Sequence, residues 1–204
     1  MAISLNGGTG VITGVSVGGL PDGIVDSDML AASAVSSAKL PAGSIVQVAQ
    51  AISHSQFNSN STSFTNTGLI TLNFSNTLQS GSKVLACIDL TFGESYSGNW
   101  GYPHYFTLFA GTSGATGSNV AHATYGMGGA NAMAGAVDSS YGTQYDLSRF
   151  SARDFHTPPN TNPYYRLFVR TGINTRSVHI GENGNDGTIY EVGGTIVTIM
   201  EVAA

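Results

Sequence analysis

Large apolar residues recur every five positions within residues 18–50, the run GGLPDGIVDSDMLAASAVSSAKLPAGSIVQVAQ. They are Val25, Leu30, Val35, Leu40 and Ile45. A helical face repeats at intervals of three and four residues and a half-buried strand at two, so this spacing fits neither. A stripe with alanine and serine between its members cannot form a core within one chain. We therefore predict that these residues are an oligomer interface, packed against the same residues of identical chains around a shared axis.

The chain carries little charge. Charged residues make up 9% of its 204 residues, against roughly 25% in a typical soluble domain. The surface is therefore expected to be rich in Ser, Thr, Asn and Gly, which suits an extracellular or virion protein better than a freely diffusing cytoplasmic enzyme. The net charge of −5 gives no electrostatic reason to expect nucleic acid as a partner. No apolar run approaches the roughly 20 residues of a membrane span, and the N-terminus shows no secretory signal, so we expect no membrane insertion.

From Ile45 onward the chain consists of strand-length segments separated by polar turn residues, without a long amphipathic helix. We predict strands at residues 45–52, 62–64, 69–74, 83–92, 105–110, 164–171, 177–180, 188–190 and 194–202. Many short strands with no helices between them predict an all-β protein, with a C-terminal antiparallel jelly-roll-like β-sandwich and an extended N-terminal oligomeric stem. The only cysteine, Cys87, lies in the apolar run VLACI and is predicted to be a small buried core residue.

The pattern divides the chain into three regions. Residues 1–19 alternate Ile, Val and Leu with small residues and glycine breaks, which predicts very short extended pieces suited to docking onto another protein. Residues 20–44 form the predicted oligomerising stem or linker, and residues 45–204 form the predicted β-sandwich head. Glycine- and alanine-rich runs between residues 111 and 136 predict long loops at one end of the sandwich.

The sequence shows no pattern typical of catalysis or metal binding. Its five histidines are scattered without a pair at metal-ligand spacing, and one cysteine cannot complete such a site. It contains no nucleophile elbow, phosphate-binding loop or dinucleotide fingerprint. We therefore predict no catalytic residues, no metal and no cofactor. One alternative is a small sugar-hydrolysing enzyme. Such an enzyme would need two catalytic carboxylates, and the candidates are Asp89, Glu94, Asp138 and Asp146.

Aromatic residues concentrate near glycine between residues 96 and 105. Trp and Tyr rings stack on the apolar faces of sugars while their polar ends bind hydroxyl groups, and both are enriched at contact surfaces. We therefore predict that Trp100, Tyr102, His104 and Tyr105 bind a ligand or receptor. The alternative is that Trp100 and Tyr105 belong to the core or to a subunit interface.

Several segments resemble a known family. The run LPDGIVDSDMLA at residues 20–31, followed by Ala34-Val35 and Lys39-Leu40, is similar to a short repeat of tail-fibre and other virion structural proteins of marine and cyanobacterial bacteriophages. The runs SFTNTGL at residues 63–69 and SKVL at residues 82–85, with the strand-like end at residues 195–201, resemble the β domain that often follows this repeat. The glycine- and alanine-rich middle departs from the pattern, so no functional residues are carried over.

The resemblance implies a non-enzymatic, typically trimeric protein with a jelly-roll or tumour-necrosis-factor-like head. We therefore expect a virion surface protein on the phage particle, a homotrimer attached to another virion protein through residues 1–19. Its head is expected to bind a host-surface glycan or protein at the tip of a tail fibre. A capsid decoration or head-fibre protein is the alternative, favoured by the small size because tail fibres are commonly longer.

Overall fold

The computed structural model describes residues 4–6, 11–13, 39–94, 103–114, 117–119, 134–137, 148–181 and 193–204. The chain divides into two compact units, Met1–Leu40 and Pro41–Ala204. The second unit begins with a tight turn, in which the Ser44 N–H donates to the Pro41 carbonyl at 3.1 Å and Gly43 adopts a φ of 86°. This positive φ explains why glycine stands in the turn that leads into the first strand of the head.

The first unit contains two short strands, β1 (Ser4–Asn6) and β2 (Val11–Thr13), which pair antiparallel with Leu5 opposite Ile12. The prediction of very short extended pieces in residues 1–19 is confirmed for these two segments. The stripe residues Val25, Leu30 and Val35 lie outside the described residues, so their role as an oligomer interface stays a prediction.

The second unit is built from antiparallel strands, and its described part contains no α-helix. Its strands are β3 (Ile45–Ser53), β4 (Phe57–Ser59), β5 (Thr65–Asn73), β6 (Lys83–Glu94), β7 (Pro103–Gly111), β8 (Ser118–Asn119), β9 (Ala134–Val137), β10 (Ser148–His156), β11 (Tyr164–Thr171), β12 (Val178–Ile180) and β13 (Thr195–Val202).

These strands form two sheets. The first sheet has the order β3-β13-β6-β12-β4, and β10 pairs with the other side of β6. Strands β13 and β12 pair, one after the other, with successive parts of the same side of β6. Strand β3 pairs with the far side of β13, and β4 pairs with the far side of β12. The second sheet has the order β5-β11-β7, with β8 and β9 both paired to β7. Most connections cross from one sheet to the other, which is the arrangement of a jelly roll. The prediction of an all-β, jelly-roll-like sandwich is therefore confirmed.

Alternate residues of the central strands fill the space between the sheets. On β6, Val84, Ile88 and Phe92 are completely buried. The ring of Phe92 packs against Phe106 of β7 with a centroid distance of 5.2 Å, and Phe106 packs against Phe150 of β10 at 4.7 Å. Each fully buried side chain of this size contributes about 1.5–3 kcal/mol through the hydrophobic effect, so the core stabilises this unit without disulfides.

Cys87 does not belong to this core, which corrects the prediction made from its apolar neighbours in sequence. It is half-buried on the outer face of the first sheet, where it lies opposite Arg153 of β10 and Thr198 of β13. The two-residue alternation of β6 places Ala86 and Ile88 inward and Cys87 outward. The run VLACI gave no sign of this because its outward positions are also apolar.

Most strand predictions agree with the structure, but some do not. Residues 62–64 and 69–74 were predicted as separate strands, whereas β5 runs unbroken over Thr65–Asn73. Strands β4, β8, β9 and β10 were not predicted at all, and β8 and β9 lie in the region that was predicted to form long loops. On β10 the inward positions after Phe150 hold Ala152, Asp154 and His156, so the apolar alternation that marks a strand is missing there. The predicted strand at residues 188–190 lies outside the described residues.

Glu201 of β13 fixes the segment between β5 and β6. Its side chain is completely buried. The carboxylate accepts hydrogen bonds of 2.7 Å from the backbone N–H of Gln79, the hydroxyl of Ser82 and the side-chain amide of Gln47. These donors satisfy the buried charge, and they hold the β5–β6 connection against the end of the first sheet.

Two glycines, Gly181 directly after β12 and Gly193 shortly before β13, lie close against β6. The Gly181 N–H donates to the Thr91 carbonyl at 3.0 Å, and the Gly193 N–H donates to the Gly181 carbonyl at 3.2 Å. A Cβ atom on Gly193 would lie 1.4 Å from the hydroxyl oxygen of Thr91. Only glycine therefore allows this close approach.

Candidate interaction surfaces

The outer face of the first sheet carries a group of apolar side chains, flanked on β6 by Lys83 and Asp89. Its most exposed members are Ile45, Val48 and Ile52 on β3 and Phe155 on β10, which are each 53–56% exposed. Four half-buried apolar side chains lie between them, and the eight residues together are called the apolar face: Ile45, Val48, Ile52, Leu85, Phe155, Ile196, Met200 and Val202.

Strand register sets the order of side chains on this face. One apolar row crosses all four strands from edge to edge and consists of Val48, Met200, Leu85 and Phe155. The next row is polar and consists of Gln50, Thr198, Cys87 and Arg153. Within it, the Gln50 side-chain amide donates to the Thr198 hydroxyl at 3.0 Å. Burial raises the pKa of the Cys87 thiol. The charge of Arg153 lowers this pKa and the charge of Asp89 raises it, both to a smaller extent than burial does.

A shallow cavity of about 480 Å³ lies at the polar end of the same face. Its lining includes Asp89 and Thr91 of β6, Arg149 and Ser151 of β10, and Ile196 of β13. Asp89, Arg149 and Ser151 are exposed. The cavity offers one carboxylate, one guanidinium and the hydroxyl of Ser151 beside an apolar wall, so it forms a polar margin to the apolar face.

The outer face of the second sheet carries a group of stacked rings, called the aromatic–arginine cluster: Phe64, Tyr105, Phe109, Phe168 and Arg170. The guanidinium carbon of Arg170 lies 4.3 Å from the centroid of the Tyr105 ring and 5.3 Å from that of Phe64. Phe109 and Phe168 stack with centroids 4.1 Å apart, and Phe64 meets Phe109 edge-on at 5.9 Å. Phe64, Tyr105, Phe109 and Arg170 are half-buried, so the cluster presents ring surface and positive charge together.

The residues predicted to bind a ligand do not share one location. Tyr105 belongs to the aromatic–arginine cluster. His104, the preceding residue on β7, points the other way and is completely buried against Phe92, with ring centroids 6.0 Å apart. A ligand on the outer face can therefore contact Tyr105 but not His104. Trp100 and Tyr102 lie outside the described residues, and their binding role stays a prediction.

Sequence reasoning missed the partners of Tyr105. Arg170 lies directly opposite it on β11, and Phe168 is two residues away on the same face. The run YYRLFVRT does carry a signal, because aromatic and arginine residues occupy every second position from Tyr164 to Arg170. That alternation marks one face of the strand but does not say which strand lies beside it.

Three polar side chains, Asp154, His156 and Tyr165, meet between the sheets near the C-terminal end of β10. The His156 Nε2 atom and the Tyr165 hydroxyl are 3.0 Å apart, and His156 Nδ1 lies 3.4 Å from a carboxylate oxygen of Asp154. With the proton on Nδ1, the phenol donates to Nε2. Burial, followed by the nearby charge of Asp154, raises the pKa of Tyr165. A phenol held neutral in this way is a poor nucleophile, and its hydrogen bond satisfies the His156 Nε2 atom. Among the described residues, His156 Nδ1 and the facing Asp154 oxygen make no hydrogen bond.

Within the ranges that the structure describes, no three His, Cys, Asp or Glu side chains are close enough to hold a metal ion. The same ranges contain no helix that is long and apolar enough to cross a membrane. The fold and its surfaces thus define a jelly-roll β-sandwich with an apolar outer face on one sheet and an aromatic–arginine cluster on the other. No protein-family model matches the chain. No curated protein matches it either.

Proposed function

We propose that this chain is a subunit of a trimeric bacteriophage virion surface protein. Residues 1–19 attach it to another virion protein, residues 20–44 form the shared stem, and the β-sandwich head projects outward. The head binds a glycan or protein of the host surface, as at the tip of a tail fibre. The protein performs no catalysis in this role.

One observation carries the proposal most directly. The five-residue stripe, which needs identical copies to become buried, runs into the first strand of the head at Ile45, and Ile45 is 56% exposed. The stem pattern and the head therefore meet at a residue that is still available for contact. The similarity of residues 20–31 to a repeat of phage virion proteins gives the biological setting.

The aromatic–arginine cluster supports receptor binding by the head. The half-buried rings of Tyr105 and Phe64 can stack on the apolar face of a sugar, and the guanidinium of Arg170 between them can bind an acidic group. The cluster therefore suits a host glycan that carries carboxylate or phosphate groups.

Adsorption of the purified full chain to host cells tests the receptor-binding role. We expect it to bind the cells and to compete with phage infection, and we expect Tyr105→Ala to weaken both effects. Ser113→Ala, a change in the exposed turn that follows β7, is the control. Absence of both adsorption and competition for the unmodified chain would contradict receptor binding.

Capsid decoration is the second candidate, because an apolar sheet face could also lie against a capsid lattice. Quantitative mass spectrometry of purified particles separates the two roles. Hundreds of copies per particle would identify a decoration protein, whereas a few tens would fit a fibre. Labelling the chain on intact particles in electron micrographs would place it on the capsid or on the tail.

A further inference from the structure

The large apolar side chains that are exposed in the described part of the head all lie on one face. Ile45, Val48 and Ile52 line the outer edge of β3, and Phe155 lies at the other edge of the sheet on β10. Single exposed apolar residues are common on any protein, but a contiguous patch marks a contact surface. Ile45, Val48 and Phe155 lie on one side of the polar row, and Ile52 lies on the other. No comparable side chain is exposed on the described part of the second sheet.

The apolar row suits contact between copies related by rotation. Val48 and Phe155 occupy its two ends, at opposite edges of the sheet, and Met200 and Leu85 connect them. When identical sheets are arranged around an axis, the β3 edge of one copy approaches the β10 edge of the next. Both edges are apolar at the same level, so such a contact buries apolar surface on both sides, with Lys83 and Arg153 in the flanking rows.

The stem argues for a copy of this chain rather than another protein as the occupant. Ile45 is both the last residue of the five-residue stripe and a member of the apolar face. Copies that associate through the preceding stripe residues hold their β3 strands close together. Their heads then meet at an effective concentration of about millimolar, so even a weak contact between heads forms.

The size of the face agrees with this occupant. Four strands at about 4.8 Å spacing and eight residues at about 3.3 Å rise give a flat area of roughly 500 Å². A standard interface buries about 800 Å² of accessible surface on each partner. The face is therefore somewhat small to hold two free subunits together, but it is sufficient to pack heads that a stem already holds.

We infer that a second copy of this chain covers the apolar face, so that the heads of the oligomer pack against one another through the outer face of the first sheet. The inference rests on the proposed oligomeric stem. The polar cavity lined by Asp89 and Arg149 then lies at the edge of the contact and forms part of its polar, solvent-accessible rim.

Cys87 provides a built-in probe of this contact, because the only cysteine of the chain lies in the row next to the apolar row. The experiment measures its alkylation by iodoacetamide in the native full-length chain, alongside oligomer size from sedimentation. A covering copy should slow alkylation relative to a head whose face is open. The denatured chain gives the intrinsic rate of the thiol.

The variant Val48→Lys/Phe155→Lys opens the contact, and both changes are at exposed positions that the fold of one subunit tolerates. Charges at two contact positions weaken such an interface strongly, so we expect alkylation to become at least about tenfold faster than in the unmodified chain. Ser113→Lys, an exposed change in the turn after β7 of the other sheet, should leave the rate unchanged. Circular dichroism confirms that each variant keeps its strand content.

A stem variant, Leu30→Asp/Val35→Asp, separates this inference from the proposed function. If the unmodified chain is an oligomer but Cys87 reacts as fast as in Val48→Lys/Phe155→Lys, the heads are apart and the inference fails while the stem proposal stands. If Cys87 becomes protected only when another virion protein is added, that protein is the occupant and the inference also fails. Protection in the unmodified oligomer, lost in both the face and the stem variants, supports it whether or not the protein binds host cells.

Discussion

The buried carboxylate of Glu201 offers the sharpest test of how the head is held together. Its Oε1 atom accepts from the Gln79 backbone N–H and the Ser82 hydroxyl, and its Oε2 atom accepts from the Gln47 side chain, each at 2.7 Å. Each buried donor left without an acceptor costs about 1–3 kcal/mol. Since Glu201→Ala orphans at least the two donors to Oε1, we expect it to lower the free energy of unfolding by about 2–5 kcal/mol.

Glu201→Gln is the subtler change and isolates the hydrogen-bond pattern from side-chain volume. One amide oxygen can replace Oε1, but the new NH₂ group then faces the donating amide of Gln47. Gln47 cannot simply flip, because its amide also donates to the Asn76 carbonyl at 3.0 Å and accepts from the Asn76 N–H at 3.3 Å. We therefore expect a loss of about 1–3 kcal/mol, the cost of one mismatched buried pair.

The assay is urea unfolding followed by circular dichroism at one fixed protein concentration, because oligomer stability depends on concentration. Hydrogen exchange of the Gln79 amide reports on the connection itself and should lose its protection in both variants. Gln79→Ala, which keeps the backbone donor, is the matched control and should stay within about 0.5 kcal/mol of the unmodified chain. If Glu201→Gln unfolds at the same urea concentration and keeps the Gln79 amide protected, the carboxylate does not fix this segment.

Three further changes test other parts of the head. Burial raises the pKa of Tyr165 above its usual value of about 10. Its stabilisation of the folded state is therefore fully present below that pH and is lost as the pH rises through the raised pKa, so Tyr165→Phe should flatten the fall in stability measured between about pH 10 and 12. Gly193→Ala places a Cβ atom 1.4 Å from a hydroxyl oxygen of β6, whereas a Cβ atom on Gly194 would have its nearest neighbour 3.5 Å away. Gly193→Ala should therefore lower the free energy of unfolding in urea by about 1–3 kcal/mol, and Gly194→Ala should not. Equal effects of the two variants would refute the close approach. A double-mutant cycle of Arg170→Met with Tyr105→Leu should give a coupling of about 0.5–2 kcal/mol, and a coupling near zero would mean that the guanidinium does not bind the ring.

Strand alternation explains which elements could be predicted from the sequence. Strands β6 and β13 alternate buried and outward residues along their lengths, and both were found within a few residues. Strand β10 was missed because Asp154 and His156 occupy inward positions, where the Tyr165 hydroxyl, on another strand, forms a hydrogen bond with His156 Nε2. Polar residues such as Asp154 and His156 are typical of loops, so the sequence alone does not show that they are buried in a strand beside Tyr165.

The candidate surfaces were predictable only in part. Tyr105 was selected from a local concentration of aromatic residues, whereas its contact with Arg170 joins positions far apart in the chain. The stripe ending at Ile45 predicted a contact surface before the head, but not that Val48 and Phe155 extend an apolar row across the first sheet. Both surfaces depend on which strands are neighbours, and no local pattern carries that information.

The sequence by itself determined that this chain forms an antiparallel β protein, because two-residue alternation is a property of consecutive residues. The five-residue spacing before the head likewise belongs to consecutive residues, and it predicts an oligomer interface. Only the tertiary structure decided which side chains share a face. A shift of one residue in the pairing of a strand would turn Cys87 inward and move each apolar-face residue on that strand into the core. The pairing of β6 with β10 and β13 is therefore what turns scattered apolar residues into a surface.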